Sequence, residues 1–157
     1  MHRFIHVSAL GAMLLFQGMA GAADTAPTTP ANDPLAPARA QIVAKNWAGA
    51  ISELKRINAT TSADWNNLMG YTHRKSGAPD FAAAEKFYDE ALRIEPKHRG
   101  ALEYSGELYL MKGDLAKAEQ RLAALDKACF MPCEEFTDLK NAVANFKAAG
   151  NRYVAKP

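Results

Sequence analysis

The stretch DFAAAEKFYDEAL, at residues 80–92, decides the fold because its pattern occurs three times in the chain. The stretches at residues 46–57 (NWAGAISELKRI) and 114–125 (DLAKAEQRLAAL) also begin with Asn or Asp followed by a large apolar residue. The apolar positions recur at steps of three and four residues, as on an amphipathic helix. Equivalent positions lie 34 residues apart, as in the set Ala50, Ala84 and Ala118. This period, with small residues where helices approach closely, predicts an all-α array of helix-turn-helix repeats.

The residues around these stretches complete units of about 34 residues. The clearest unit spans residues 63–96, and its characteristic residues are Trp65, Gly70, Ala84, Tyr88, Ala91 and Pro96. The next unit spans residues 99–132, with marked positions at Leu102, Gly106, Tyr109, Ala118, Leu122 and Leu125. A degenerate unit at residues 37–60 has Ala38 where the other two have glycine. These positions resemble the tetratricopeptide repeat, and the resemblance implies a short α-solenoid of two to three such repeats.

The repeat domain is expected to cover residues 37–150 and to end in a helix of its own. The sequence at residues 134–150 has one apolar face, formed by Phe136, Leu139, Val143 and Phe146. A terminal repeat exposes an apolar edge that needs covering, so we expect a C-terminal capping helix at about residues 133–148 and a tail at residues 151–157. The turn at residues 75–80 is two residues longer than its counterpart in the next unit, which favours a tolerated surface insertion.

The N-terminus predicts export. Arg3 precedes an apolar run, and Ala20-Gly21-Ala22 has the small-x-small form that signal peptidases cleave. The apolar run is about 10 residues long, too short to span a bilayer. We therefore expect a signal peptide at residues 1–22, cleaved after Ala22, and a flexible Ala/Pro/Thr-rich leader at residues 23–36. The mature protein is expected to be periplasmic or secreted, with no membrane insertion after cleavage.

Charge and composition narrow the functional classes. The chain has 19 Lys and Arg against 17 Asp and Glu, a formal charge of +2, and removal of the signal peptide takes away one arginine and no acid. A nearly neutral chain with interspersed charges does not indicate a nucleic-acid-binding protein. The sequence has no Gly-rich phosphate loop and no recognisable catalytic constellation, so we expect neither enzymatic activity nor a cofactor.

The resemblance implies a partner-binding surface on the first helix of each repeat, the inner surface of the array. Its expected residues are Asn67, Tyr71, Arg74, Glu103, Glu107, Leu110 and Met111. In this family, a site that clamps a C-terminal carboxylate is formed by Lys, Asn and Arg residues. Arg74 is the one cation in this set, which argues against such a site here. Two glutamates favour an extended or basic peptide segment instead. The alternatives are that Tyr71 packs between helices and that Arg74 pairs with a local acid such as Asp80. Glu103 and Glu107 could equally be a solvated face, and Leu110 and Met111 could belong to the core.

The stretch KACFMPCEEF, at residues 127–136, holds both cysteines. The repeat places Cys129 at the end of the last repeat and Cys133 at the start of the capping helix. A turn between them brings the Cα atoms into disulfide range, so we expect a disulfide that fixes the angle of the capping helix. One alternative is a Cu(I) or other soft-metal site formed by Cys129, Met131 and Cys133. Thiol-redox exchange and free thiols are the other two.

Three functional hypotheses follow from the sequence. The first is a non-catalytic adaptor in the bacterial periplasm that binds a peptide or protein segment of another exported or envelope protein. The second is a homo-oligomeric assembly module, such as a homodimer, because an array of two to three repeats has a small core. The third is soft-metal or thiol-redox handling at the cysteine turn.

Overall fold

The computed structural model describes residues 33–154, and this part of the chain consists of helices and turns without strands. Its seven helices are α1 (Ala36–Val43), α2 (Trp47–Ile57), α3 (Ala63–Lys75), α4 (Phe81–Ile94), α5 (Arg99–Met111), α6 (Leu115–Ala128) and α7 (Glu134–Ala148). The first six form three consecutive pairs, and α7 follows alone. The predicted all-α helical repeat fold is confirmed. The predicted signal peptide, and the leader as far as residue 32, lie outside the described residues.

The second helix of every pair begins with the same hydrogen bond. Asn46, Asp80 and Asp114 are the N-caps of α2, α4 and α6. Each side-chain oxygen accepts a hydrogen bond from the backbone N–H three residues later, at 3.1, 2.9 and 3.1 Å. Such a cap satisfies one of the four N–H groups left free at the start of a helix. The acid or amide that opens each repeated stretch is therefore a helix start signal.

The small residues of the repeat lie where helices pack closely. Ala50, Ala84 and Ala118, the equivalent alanines of α2, α4 and α6, are fully buried. A Cβ atom on Gly70 of α3 would lie 2.7 Å from the ring of Tyr88, the buried aromatic residue of α4. A close approach of this kind leaves no room for a side chain. Glycine at this position lets the first helix rest directly on the second.

Residues 33–36, which the sequence assigns to the leader, are part of the fold. Leu35 is buried and packs with Ala38 and Leu54 in the N-terminal core cluster. Asp33 Oδ1 accepts a hydrogen bond from the Leu35 backbone N–H at 2.9 Å, and Asp33 Oδ2 accepts one from Arg39 Nε at 3.1 Å. The assignment of residues 33–36 to a flexible leader was therefore wrong, because a single leucine in an Ala/Pro/Thr-rich stretch anchors this turn to the core.

The last helix, α7, covers the apolar edge of α5 and α6. Its side chains Leu139, Val143 and Phe146 are buried in the largest core cluster, together with residues of both of those helices. A Cβ atom on Gly106 of α5 would lie 2.5 Å from Leu139 Cδ2, so the backbone of α5 is in close contact with α7. No helix among residues 33–154 is both long enough and apolar enough to span a bilayer.

Candidate functional site

The inner surface, defined here as the face formed by α3, α5 and α7, contains a row of aromatic side chains. The ring centroids of Tyr71 in α3 and Tyr104 in α5 lie 4.9 Å apart. Trp47, at the start of α2, extends the row, with its ring centroid 6.3 Å from that of Tyr71. Both tyrosines are half-buried, so part of each ring faces solvent. Rigid side chains with an apolar body and a polar tip are typical of protein interfaces.

A buried arginine lies beside these two tyrosines. The Cζ atom of Arg74 is 5.5 Å from the ring centroids of Tyr71 and of Tyr104, within the range of a cation–π interaction. Its Nη1 atom donates to Glu107 Oε2 at 2.6 Å and lies 3.9 Å from Met111 Sδ. Only 2% of the Arg74 side chain is exposed, against 20% for Glu107. Arg74 therefore holds α3, α5 and both rings together.

This arrangement corrects two expectations about Arg74. It is not an exposed cation of the surface, because its guanidinium is buried against Glu107 and the two rings. It does not pair with Asp80 either, since that carboxylate caps α4 by accepting from the Ala83 N–H. Its partner Glu107 is 33 residues away, on the first helix of the next repeat. The contact depends on how two repeats stack, so the sequence of α3 alone does not predict it.

The protonation states around Arg74 are set by burial and by its neighbours. Burial alone lowers the pKa of Arg74, but the Tyr88 hydroxyl and the Glu107 carboxylate more than offset this effect and raise it above its usual value. Burial raises the pKa of Tyr88, which stays neutral. Burial also raises the pKa of Tyr104 to about 12. The guanidinium therefore remains charged and both phenols remain neutral over the physiological pH range.

The structure places the remaining predicted residues at different depths. Glu107, Tyr71 and Met111 are half-buried and border the inner surface. Asn67 and Glu103 are more than nine-tenths buried, at 6% and 7% exposure, and lie at the wall of a shallow, open pocket.

Leu110 does not lie on the inner surface. It is buried in the core cluster with Tyr109 and with Leu125 and Leu139 of the two following helices. One residue along a helix turns the side chain by about 100°, so Leu110 and Met111 point in different directions and only Met111 reaches the surface.

The α5 and α7 side of the inner surface is acidic. Burial, together with the carboxylates of Glu107, Asp138 and Glu135, raises the pKa of Glu103 to about 8. A groove of about 670 Å³ follows α7 from Glu107 and Asp138 to Tyr153. Tyr153 also packs against the core cluster, so the chain after α7 forms one wall of this groove. The surface thus combines aromatic rings with closely spaced carboxylates.

Sequence reasoning missed Tyr104 and the contribution of α7. Tyr104 is one helical turn before Glu107 on α5, so the helical period alone would have placed both residues on one face. Asp138 lies on the polar side of the capping helix, for which only a packing role was expected. No sequence signal connects it with Glu103, because α5 and α7 are separated by a whole helix.

The two cysteines lie between α6 and α7, away from the aromatic row. Cys129 is the C-cap of α6 and Cys133 the N-cap of α7, as the repeat predicts. Their Cα atoms are 5.9 Å apart and their sulfur atoms are at the bonded distance of 2.07 Å. Bonded sulfurs are not thiolate ligands, so the soft-metal alternative applies only to the reduced form. Phe130 and Met131 lie between the two cysteines in sequence, and their side chains are exposed.

Comparison with known proteins agrees with this architecture. Residues 77–128, which run from the turn after α3 to the end of α6, match the model of the tetratricopeptide repeat family. No curated protein matches the chain. The helix pairs define a helical repeat protein. Taken with the family match over residues 77–128, they support a tetratricopeptide repeat protein with an all-α helical repeat fold. Repeats of this family generally mediate protein–protein interactions and are typically non-catalytic.

Proposed function

We propose that this protein is a non-catalytic adaptor of the bacterial periplasm that binds an extended segment of another exported or envelope protein across its inner surface. The observation that carries the proposal is the pair of adjacent, half-buried rings of Tyr71 and Tyr104, each with its centroid 5.5 Å from Cζ of the buried Arg74. Fixed aromatic rings lose little entropy when a partner binds, so such positions contribute strongly to interface affinity.

The chemistry of the surface favours a segment with apolar and basic side chains. The rings offer stacking area, and the carboxylates of Glu107 and Asp138 lie at the start of the groove along α7. A basic side chain of a segment that entered this groove would meet complementary charge at its start.

Two observations support an exported location. The sequence at residues 1–22 has the charged start, apolar run and small-residue site of a signal peptide. The Cα atoms of Cys129 and Cys133 are 5.9 Å apart, in range for a disulfide, and disulfides persist in oxidising compartments. Cell fractionation with intact-mass measurement tests this part of the proposal. We expect a periplasmic protein that begins at Ala23, and a cytoplasmic protein with residues 1–22 intact would contradict it.

Site-specific photo-cross-linking in cells tests the binding surface. A photoreactive phenylalanine analogue replaces Tyr71 in one variant, Tyr104 in a second and Lys86, an exposed residue of α4, in a matched control. We expect a discrete adduct with another exported protein at the two inner positions and none at Lys86. Equal labelling at all three positions, or adducts at Lys86 alone, would rule out the inner surface as the binding site.

A homo-oligomer is the second candidate, favoured by the exposed Phe130 and Met131 in the turn before α7. Two apolar side chains on a closed turn could contact the same turn of another copy. Sedimentation equilibrium distinguishes this function, because self-association should weaken when both residues are replaced by serine. A protein that stays monomeric at high micromolar concentration would eliminate it.

A further inference from the structure

The chain after α7 turns back toward the inner surface. Gly150 and Asn151 both have a left-handed backbone, with φ of +67° and +60°. The Asn151 N–H donates to Phe146 O at 2.9 Å, and the Gly150 N–H donates to Lys147 O at 3.1 Å. These bonds satisfy carbonyl groups at the end of the helix and reverse the direction of the chain. Tyr153, three residues after Gly150, is thereby brought against the largest core cluster.

The ring of Tyr153 lies between this apolar core and the polar start of the groove along α7. The residue is half-buried and lines the groove of about 670 Å³ together with Glu107 and Ala142. Burial raises the pKa of its hydroxyl, and the charges of Arg74 and Glu107 act on that pKa in opposite directions. The hydroxyl is therefore within the field of the buried ion pair. We call the position of this ring, between the core cluster and Glu107, the socket.

The rest of this tail, residues 151–154, is weakly held. Val154 is 61% exposed, and Arg152 is exposed as well. Arg152 Nε donates to Ala149 O at 3.2 Å, which is a local contact. Beyond Asn151, no backbone hydrogen bond among residues 33–154 joins the tail to the helices. A segment with few buried contacts opens at a small cost in free energy, so the ring of Tyr153 decides whether the tail stays in place.

The socket lies on the path of the proposed segment. The aromatic row ends at Tyr104 beside Arg74, and Arg74 pairs with Glu107, where the groove begins. A segment that crosses the row and continues along α7 therefore reaches the position that Tyr153 holds. The tail and the segment cannot both fill this position, since a packed ring leaves no room for a second one.

We infer that Tyr153 occupies, within its own chain, a socket for an aromatic side chain of the bound segment, which displaces it. The inference rests on the proposed function and names one side chain of the partner. A ring with an apolar body and a polar tip matches the core cluster on one side and Glu107 on the other. A short tether holds Tyr153 at an effective concentration in the millimolar range, so a segment must also engage Tyr71 and Tyr104 to replace it. The tail thereby excludes segments that lack one of the two contacts.

A peptide with the tail sequence, N-acetyl-Asn-Arg-Tyr-Val-Ala-amide, is the probe. It is titrated into the full chain, and NMR of the Ala142 methyl group, which lines the groove, reports binding. We expect Tyr153→Ala to bind the peptide saturably and roughly ten-fold tighter than the unaltered chain, because the socket is then empty. The same peptide with alanine in place of tyrosine should not bind. Equal affinity in the two chains, or no saturable shift in either, would overturn the inference.

Two further variants and one control separate the ring from other effects. Tyr153→Phe keeps the ring and should bind the peptide much as the unaltered chain does. Gly150→Ala keeps Tyr153 but strains the turn at φ +67°, so the tail should dock less often and peptide affinity should rise. Gly77→Ala, where a Cβ would meet nothing within 4 Å, should leave peptide affinity unchanged. An effect of Tyr153→Phe as large as that of Tyr153→Ala would contradict the role of the ring.

Displacement itself is measured in the unaltered chain. At saturating peptide the ring resonances of Tyr153 should move to the values of an exposed tyrosine. A shift at Ala142 without one at Tyr153 would show binding beside the tail and contradict displacement. In cells, photo-cross-linking at Tyr104 should give several-fold more adduct when it is combined with Tyr153→Ala. An adduct that this variant leaves unchanged would overturn the inference and leave the adaptor function intact, and peptide binding without any cross-linked protein would do the reverse.

Discussion

Replacing Glu107 by glutamine should destabilise the fold far more than the loss of an ordinary surface ion pair. Its carboxylate is the counter-charge of Arg74, whose side chain is 2% exposed. Glutamine preserves the shape and can still accept a hydrogen bond from the guanidinium. The change therefore removes charge and little else, and it leaves a buried cation whose remaining neighbours, among them the rings of Tyr71 and Tyr104, carry no negative charge.

The size of the loss follows from distance and exposure. At the 2.6 Å separation of Nη1 and Oε2, an effective dielectric constant of about 20 gives an attraction of about 6 kcal/mol before desolvation is counted. Removing one partner of a buried pair typically costs about 3–5 kcal/mol. Because the variant keeps a hydrogen bond and the two rings beside Arg74, we expect a loss at the lower end of this range, about 3 kcal/mol of unfolding free energy. For a domain of roughly 120 residues this corresponds to a fall in Tm of about 10 °C.

The matched control is Glu119→Gln. Glu119 Oε1 lies 2.6 Å from Lys147 Nζ, the same separation, but the two side chains are 46% and 51% exposed. An exposed pair should contribute less than about 1 kcal/mol and should weaken with salt. Urea unfolding of the three proteins at low and at high salt measures both effects. Equal losses in the two variants, or a loss at Glu107 that high salt abolishes, would refute the reasoning that burial gives this ion pair its strength.

Three further predictions concern pH, the disulfide and helix contact. Burial raises the pKa of Glu103 from 4.5 to about 8, so between these pH values the folded state holds a proton that the unfolded state releases. The free energy of unfolding should therefore fall as pH rises from 4.5 to 8. Urea titrations of Glu103→Gln should lack this fall. Reducing the Cys129–Cys133 bond should cost about 2 kcal/mol and increase hydrogen exchange in the first turn of α7, and unchanged exchange there would contradict a fixing role. Gly106→Ala should cost about 1–3 kcal/mol by thermal unfolding because its methyl group would press on α7, whereas Gly77→Ala should be close to neutral.

The sequence was sufficient for the helix pairs because their determinants are local. The cap residues Asp80 and Asp114 and the buried alanines of the same helices act within a few residues of one another, so a repeated pattern identifies them. The same locality explains why the cysteine turn was placed correctly between two helices.

The inner surface was only partly predictable because it depends on how successive repeats stack. The pairing of Arg74 with Glu107 and the facing rings of Tyr71 and Tyr104 connect helices that are not neighbours in sequence. Leu35 was missed for a related reason, since its burial depends on the surfaces of α2 and α3 and not on its Ala- and Pro-rich surroundings.

The unequal strength of the ion pairs between repeats has a mechanical consequence. On the first-helix side the second and third repeats are joined by a buried arginine, whereas on the second-helix side the nearest equivalent is the more exposed contact between Arg121 and Asp89, at 2.9 Å. Ions in solution soften the second contact far more than the first. If the array flexes, the outer side should therefore stretch while the aromatic side keeps its spacing. The inner surface would then keep the same geometry for its partner when the ionic strength changes.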